Sequence, residues 1–245
     1  MEESEYLKMA EVDDRMWWYR GLHRNVCTAL RRSRPGDSFR LLDGGCGTGG
    51  LLLALRQAFP GALLEGVEAH APAAAVARTR TGLPITDGNL HALPYPDASF
   101  DAVTVTDVLY HENADPARAL AEIARVLKPG GVFVSSEVAF EWLRSYHDEQ
   151  VRTARRFTRA GMTDLLSARG LRVERATYWN FFLLPVLVLK RKILTPKPGE
   201  SDVHEYAPWM DRTFSALLSL EDLGIRAGLR WPLGSSLLTV SRKSP

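Results

Sequence analysis

The stretch Leu41-Leu42-Asp43-Gly44-Gly45-Cys46-Gly47-Thr48-Gly49-Gly50 decides how this chain is read. Two leucines lie near the end of the first predicted strand, Phe39–Asp43, which closes on an acid, and glycines then lead into the apolar segment Leu51–Ala58. Glycine has no Cβ, so it turns sharply and lets a ligand approach the main chain. A strand that passes through such a turn into a helix leaves the first helical N–H groups without intrahelical partners, open to a polar ligand. The stretch therefore predicts strand, turn and helix, with a ligand docked at the turn.

The spacing Gly45-x-Gly47-x-x-Gly50 also satisfies a dinucleotide fingerprint, which is a weak signal alone. Asp43 narrows it. A carboxylate at the strand end repels a pyrophosphate and suits a ligand that brings an ammonium group. S-adenosylmethionine brings an ammonium and a sulfonium, and no phosphate. Working outward, a second strand is predicted over Ala62–Glu68 after the punctuation Pro60-Gly61. Its last residue, Glu68, falls about 20 positions past the glycines, where an acid accepts hydrogen bonds from ribose hydroxyls.

At 245 residues the chain has length for one α/β domain with a core and a small lid. Its 45% hydrophobic and 24% charged content is that of an ordinary globular protein. A net charge of +2 without a basic stripe gives no support for a nucleic-acid partner. The two cysteines, Cys27 and Cys46, form neither a disulfide framework nor a metal site, so no metal is expected. The acidic start Met1–Glu5 does not read as a leader, and a cytoplasmic location is expected.

Further along, a helix is predicted from Asp13 to Arg32, opening on the cluster Trp17-Trp18-Tyr19-Arg20. There an aromatic and Arg20 are candidates to close over the ligand, with Arg20 meeting a carboxylate. Other strands are expected at Leu83–Asp87, Ala102–Val108, Val132–Val138, Leu171–Tyr178 and Ser236–Ser241. Helices are expected at Pro72–Arg80, after the N-cap Asp115 with its stripe Leu120, Ile123 and Leu127, after the cap Thr158, and over 209–227. Alternating strands and helices make a doubly wound seven-stranded sheet, with an N-terminal helix and a helical cap before the last strand. The divisions of this single domain are a cofactor-covering segment 1–37, a cofactor-binding core 38–178, a cap 179–235, and a last strand and tail 236–245. In the cap, Trp179–Leu189 is the most apolar stretch and Lys190-Arg191-Lys192 follow it. It is too short to span a bilayer, which needs about 20 apolar residues. It reads as a packed helix, a lid or a peripheral membrane contact through 179–192. Thr195–Gly199 is expected to be a loop.

Asp43 to Gly49, Gly66-Val67-Glu68, Leu93 to Asp101 and Leu127-Lys128-Pro129-Gly130-Gly131 together resemble a class I S-adenosylmethionine-dependent methyltransferase of the type 11, small-molecule branch. The resemblance is good over roughly residues 13–138. It implies a Rossmann-like fold, S-adenosylmethionine as cofactor with S-adenosylhomocysteine as product, and metal-independent transfer to a small, partly apolar acceptor. It also implies a cofactor site: Trp18 and Arg20; Asp43, Gly44, Gly45, Cys46 and Gly47 at the turn; Glu68 and Ala69 at the ribose; Asp87, Gly88, Asn89 and Leu90 near the adenine; and Thr106 and Asp107 after the fourth strand. Two positions depart from the pattern. Asn89 replaces an expected acid, and Gly44 stands where a branched residue is commoner, which is expected to loosen the turn. His111 is the first candidate for a general base, with Tyr110 and His147 as second choices.

Three alternatives stay open at this point: a nicotinamide-dependent oxidoreductase, an enzyme using S-adenosylmethionine for other chemistry, and a non-catalytic partner or membrane-docking subunit.

Overall fold

The computed structural model describes residues 13, 15–33, 36, 38–192 and 206–244. Seven strands form one sheet: β1 (Arg40–Gly44), β2 (Leu63–Glu68), β3 (Ile85–Asp87), β4 (Phe100–Thr106), β5 (Leu127–Val138), β6 (Leu171–Trp179) and β7 (Ser236–Lys243). Their order is β3-β2-β1-β4-β5-β7-β6. The pairs from β3 across to β5 are parallel, whereas β7 is antiparallel to both β5 and β6.

Both faces of the sheet are covered, which is why its central strands are nearly continuous apolar runs. Neighbouring side chains on a strand point to opposite faces. Accordingly Leu41 packs into one layer with Leu30, Leu55 and Trp179, and Leu42 into the other with Phe100, Leu120 and Phe133. The first layer is built on α1 (Trp17–Ser33), α2 (Gly50–Ala58), α3 (Ala71–Thr81) and the cap helix α8 (Pro208–Arg226). The second is built on α4 (Pro116–Val126) and α6 (Arg159–Ser167). The short α5 (Tyr146–Gln150) and the cap helix α7 (Leu184–Lys192) lie on either side of β6 in sequence.

The capping signals work as the sequence suggests. Asp115 Oδ1 accepts from the Ala117 and Arg118 N–H groups at 2.9 and 3.2 Å, and Pro116 takes the first helical position. Thr158 Oγ1 accepts from the Gly161 N–H at 3.2 Å.

Boundaries differ in three places. Helix α1 begins at Trp17, because Asp13 turns away to bond Thr48 and Arg80. Strand β3 begins at Ile85, because Pro84 has no N–H for the ladder and only its carbonyl pairs, with the Gly66 N–H at 2.9 Å. Strand β5 begins at Leu127 and absorbs Lys128–Gly131 as a bulge, since Phe100 pairs with Leu127 but Ala102 with Val132. The apolar stretch 179–189 divides: Trp179 ends β6 fully buried, Asn180 turns the chain, and α7 follows. The Thr195–Gly199 loop lies outside the described residues. Among the described residues no helix is long and apolar enough to cross a membrane.

Candidate active site

The strand order reverses between β1 and β4, and in open α/β sheets the crevice at the carboxyl ends beside such a switch point holds the ligand. A cavity of about 880 Å³ opens there, within the range of small-molecule sites.

Its floor is the glycine turn. The Gly45 and Cys46 N–H groups donate to the Val67 carbonyl at 2.8 and 3.1 Å, which ties the turn to β2. Gly47, in the left-handed region at φ 54°, donates its N–H to Glu68 Oε2 at 2.8 Å. Glu68 Oε1 accepts from the His70 N–H at 2.9 Å. A carboxylate oxygen has two lone pairs, so each can still accept from a ligand hydroxyl. Asp43 is buried and accepts from Thr104 Oγ1 at 2.7 Å. Burial pushes its carboxyl up to about 7; the Thr104 bond opposes this and the Glu68 charge adds to it. Gly44 leaves no gap beside the turn. A Cβ there would sit 2.8 Å from Leu90 Cδ2 and 3.1 Å from Val105 Cγ2, so the space of a branched side chain is already filled.

Gly88, Asn89 and Leu90 line the cavity beside Ala69, and Asn89 Oδ1 also accepts from the His91 N–H at 2.9 Å. Asp87 does not line it. Its carboxylate pairs with Arg78 at 2.7 Å and is 61% exposed, so the expectation that it reaches the adenine region is corrected. Trp18 lines the cavity with its ring 5.5 Å from that of Trp179. Arg20 is corrected as well: its guanidinium is held by Asp211 and Ser215 of α8, and it does not line the cavity. Asp13 does line it, unforeseen, held by Thr48 Oγ1 at 2.9 Å and Arg80 Nη2 at 2.8 Å.

Opposite the turn, β4 ends at Thr106, which lines the cavity. The next residue, Asp107, is in the left-handed region at φ 56°. A non-glycine residue there carries strain of order 1–3 kcal/mol, least for Asp and Asn. Its N–H donates to the Ser136 carbonyl at 2.8 Å, and its side chain is buried against the cavity with neither oxygen hydrogen-bonded among the described residues. Burial pushes the carboxyl up to about 7, against the pull of the Arg156 charge. Glu137 on β5, wholly buried, accepts the N–H groups of Val108, Leu109 and Tyr110 at 3.3, 3.0 and 3.2 Å. It thereby fixes the loop that carries Asp107. Burial, with the Asp107 charge adding, holds the Glu137 carboxyl well above the usual range. Arg156 is itself pinned, with Nε and Nη2 on Asp148 Oδ1 at 2.9 and 2.7 Å and Nη1 on the Ala139 carbonyl at 2.9 Å.

Tyr110 and His111 both line the cavity and stack with ring centroids 5.2 Å apart. Burial, reinforced by the Asp107 and Glu137 charges, holds the Tyr110 phenol well above its ordinary value. Burial lowers the His111 imidazole to about 4. It is therefore neutral near pH 7 and a weak proton acceptor, in a position that lines the cavity after β4. His147 lies on α5.

The far wall is the cap. Leu183, Val186, Leu187, Met210 and Phe214 line it, together with Asn180, which is also left-handed at φ 64°. The Asn180 Nδ2 donates to Ser235 Oγ at 2.9 Å, while Oδ1 has no hydrogen-bond partner among the described residues. Asn180 was not foreseen; its only sequence signal is a polar residue between a strand and an apolar run. The described residues contain no group of three or more His, Cys, Asp or Glu placed to hold a metal ion.

Comparison with known proteins agrees with this layout. A 37.1 kDa protein in transposon TN4556 of Streptomyces fradiae is 37% identical over 155 residues, covering 61% of this chain and 43% of that one. The demethylmenaquinone methyltransferase of Thermus thermophilus is 41% identical over 103 residues, covering 40% and 46%. A ubiquinone/menaquinone biosynthesis C-methyltransferase of Xanthomonas campestris is 36% identical over 141 residues, covering 52% and 55%. The chain thus spans about half the length of the curated relatives it matches. Among solved structures, a methyltransferase of Haloferax volcanii in complex with the Trm112 activator covers 99% of this chain and 95% of its own at a TM-score of 0.65 and 24% identity. The [4+2]-cyclase SpnF covers 94% and 85% at 0.62 and 21%. At those identities the likeness shows the fold alone. Residues 42–135, which run from β1 into β5 and include the glycine turn, match the family model of a methyltransferase domain, the family that the motifs of this stretch resemble.

Proposed function

We propose that the chain transfers a methyl group from S-adenosylmethionine to a small acceptor with an apolar body. The observation that carries this reading is one cavity with two unlike ends. Asp43 and Glu68 form an acidic floor, and Leu183, Leu187, Met210 and Phe214 form an apolar wall. The residues at the floor fit the cofactor. Asp43 is a buried acid whose pKa is raised to about 7, with Glu68 adding negative charge, so a bound ammonium supplies the compensation the pair lacks. Glu68 retains lone pairs for two ribose hydroxyls. The cofactor supplies an electrophilic methyl on a sulfonium.

The chain's residues then have three tasks. Asp43 and Glu68 hold one reactant in a fixed pose, which turns a bimolecular encounter into an oriented one. Trp18 and Trp179, packed at 5.5 Å, help exclude water from this end. The cap selects the acceptor by apolar contact. Demethylmenaquinone and ubiquinone/menaquinone-pathway methyltransferases are among the relatives, so a reduced quinone-like ring is a reasonable first acceptor to try.

A peripheral lipid contact belongs to the same proposal. Val186 and Leu189 on α7 are 51% and 45% exposed, and Lys190, Arg191 and Lys192 follow in its last turn. Co-sedimentation with vesicles of an anionic phospholipid, lost on Leu189→Glu, tests it.

The activity test is calorimetry with S-adenosylmethionine, then mass analysis of an acceptor screen. Absence of binding ends the proposal. Binding with conversion of the cofactor into fragments other than S-adenosylhomocysteine moves the reading to another chemistry. That chemistry is a live comparison, because a [4+2]-cyclase shares the fold. A change in nicotinamide fluorescence on mixing would instead favour an oxidoreductase.

A further inference from the structure

Two polar residues stand at corresponding corners of the sheet. Asp107 directly follows β4 and Asn180 directly follows β6, and both are non-glycine residues in the left-handed region, at φ 56° and 64°. Both line the cavity; Asn180 is buried, and Asp107, half-buried as a residue, has both carboxylate oxygens buried. Together they present three oxygens without hydrogen-bond partners among the described residues: Asp107 Oδ1, Asp107 Oδ2 and Asn180 Oδ1. The Asn180 amide is oriented by its Nδ2 bond to Ser235 Oγ, which leaves Oδ1 for the cavity. Elsewhere in the lining, the Thr153 hydroxyl and the Trp17 indole N–H also have no hydrogen-bond partner among the described residues.

Buried oxygens without partners are costly, and strain held beside a cavity is a pointer to function. Neither residue is left-handed for want of a better place. Glu137 holds the loop after Asp107 by three N–H bonds, and Trp179, just before Asn180, is anchored by its Nε1 on Ser136 Oγ at 3.0 Å. A ligand that fills this region has to bring hydrogen-bond donors.

We propose that Asp107 and Asn180 form the acceptor subsite, and that the acceptor is an apolar molecule bearing a hydroxyl, which donates to Asp107 and loses its proton to it. The inference rests on the methyl-transfer reading above. A hydroxyl supplies the donor these oxygens lack, and as a neutral group it costs less to bury beside the apolar wall than an ammonium does. The apolar body lies against Leu183, Leu187 and Phe214. Atoms and charge balance. The O–H proton passes to an Asp107 oxygen, and the pair it leaves on the acceptor forms the bond to the methyl carbon, directly on oxygen or through a conjugated ring carbon. The pair of the broken methyl–sulfur bond goes to sulfur. Asp107 then gives the proton to solvent.

The test needs no turnover. Binding of 2-naphthol and of 2-methoxynaphthalene, which differ in the O–H donor, is measured by calorimetry on the full chain saturated with S-adenosylhomocysteine. The wild type is expected to bind the naphthol at least tenfold more tightly than the ether. Asp107→Asn, which tolerates the left-handed backbone, is expected to bring the ratio to within threefold of unity. Asn180→Gly, free of backbone cost there, is expected to weaken naphthol binding severalfold. Both variants are expected to keep S-adenosylhomocysteine affinity within threefold, which also reports that they fold. Equal binding of the two probes by the wild type, or binding of neither, overturns the inference while leaving cofactor binding intact. Loss of cofactor affinity in Asp107→Asn overturns it too, by assigning Asp107 to the cofactor. Failure of the wild type to bind S-adenosylhomocysteine overturns the methyl-transfer reading itself.

Discussion

Asp43 concentrates the chemistry of the floor in one titration. Its folded-state pKa of about 7 lies above the ordinary 3.8, so between those values the folded chain binds more protons than the unfolded one. Its contribution to stability therefore declines as pH rises through that window and is flat above about 7. Binding of a cationic ligand runs the other way, because only the ionised carboxylate pairs with it. S-adenosylmethionine affinity is expected to rise roughly fivefold from about pH 6 to about pH 7, where the ligand's amino group still keeps its proton. Asp43→Asn is expected to abolish that slope and weaken binding at least tenfold; an unchanged slope in the variant would show that another group titrates. Asp87 supplies the contrast. It is paired to Arg78 outside the cavity, so Asp87→Ala is expected to leave cofactor affinity within twofold in the same calorimetric assay. Asp43 and Glu68 were legible in the sequence because their positions follow from a strand, a turn and a fixed interval. Asp13 and Asn180 were not, nor was the left-handed backbone of Asp107, since such a corner or an ion pair such as Asp13–Arg80 has no local signature. Arg20 was misread for the same reason: its partner, Asp211, is remote in the chain.

At the scale of elements, the least local device is the seam between α1 and α8. Arg20, Arg24, Thr28 and Arg32, one helical turn apart, meet Asp211, Ser219, Asp222 and the Arg226 carbonyl in ascending order, so the two helices run in the same direction. Asp211 does two things there. Its Oδ1 accepts the Trp17 N–H at 2.8 Å in the first turn of α1, and its other oxygen holds Arg20. Asp211→Ala removes a cap-like bond and a half-exposed ion pair, an expected loss of about 1 kcal/mol. For a chain of this length that lowers Tm by roughly 2–4 °C. Weaker cofactor binding should accompany it, because α1 carries Trp17, Trp18 and Tyr19 into the cavity. A melt unchanged from wild type would mean the seam is held by its apolar contacts alone. The sequence revealed both helices through their stripes, and the N-caps Asp115 and Thr158 through residue type. It did not reveal that one helix lies on the other, nor that Lys128–Gly131 would fold into β5 as a bulge, because both depend on which strand or helix arrives next to them.

The whole molecule joins a floor built before residue 139 to a wall built after residue 179, and the sheet order makes this possible. Strand β7 enters antiparallel between β5 and β6, so the chain leaves the sheet after β6, builds α7 and α8, and returns. Helix α8 comes to rest on α1, and both contribute to the one cavity. A ligand at the glycine turn therefore acts on elements far away in sequence. At a concentration of about 100 Kd, S-adenosylhomocysteine is expected to add ~2.7 kcal/mol of stability, raising Tm by roughly 5–10 °C. The distribution of that gain is the sharper test. Hydrogen exchange is expected to slow at the turn and β2, and also along the first half of α1 and along α8, which touch the ligand only through the cavity lining and each other. Protection confined to the turn and the ends of β1 and β2 would mean that the cap closes on the acceptor alone. Protection of α1 and α8 as well would mean that the cofactor organises the wall against which the acceptor binds, so that cofactor binding precedes and strengthens acceptor binding. Thermodynamic reciprocity then requires the acceptor to tighten cofactor binding by the same factor, which a 2-naphthol titration of cofactor affinity measures directly.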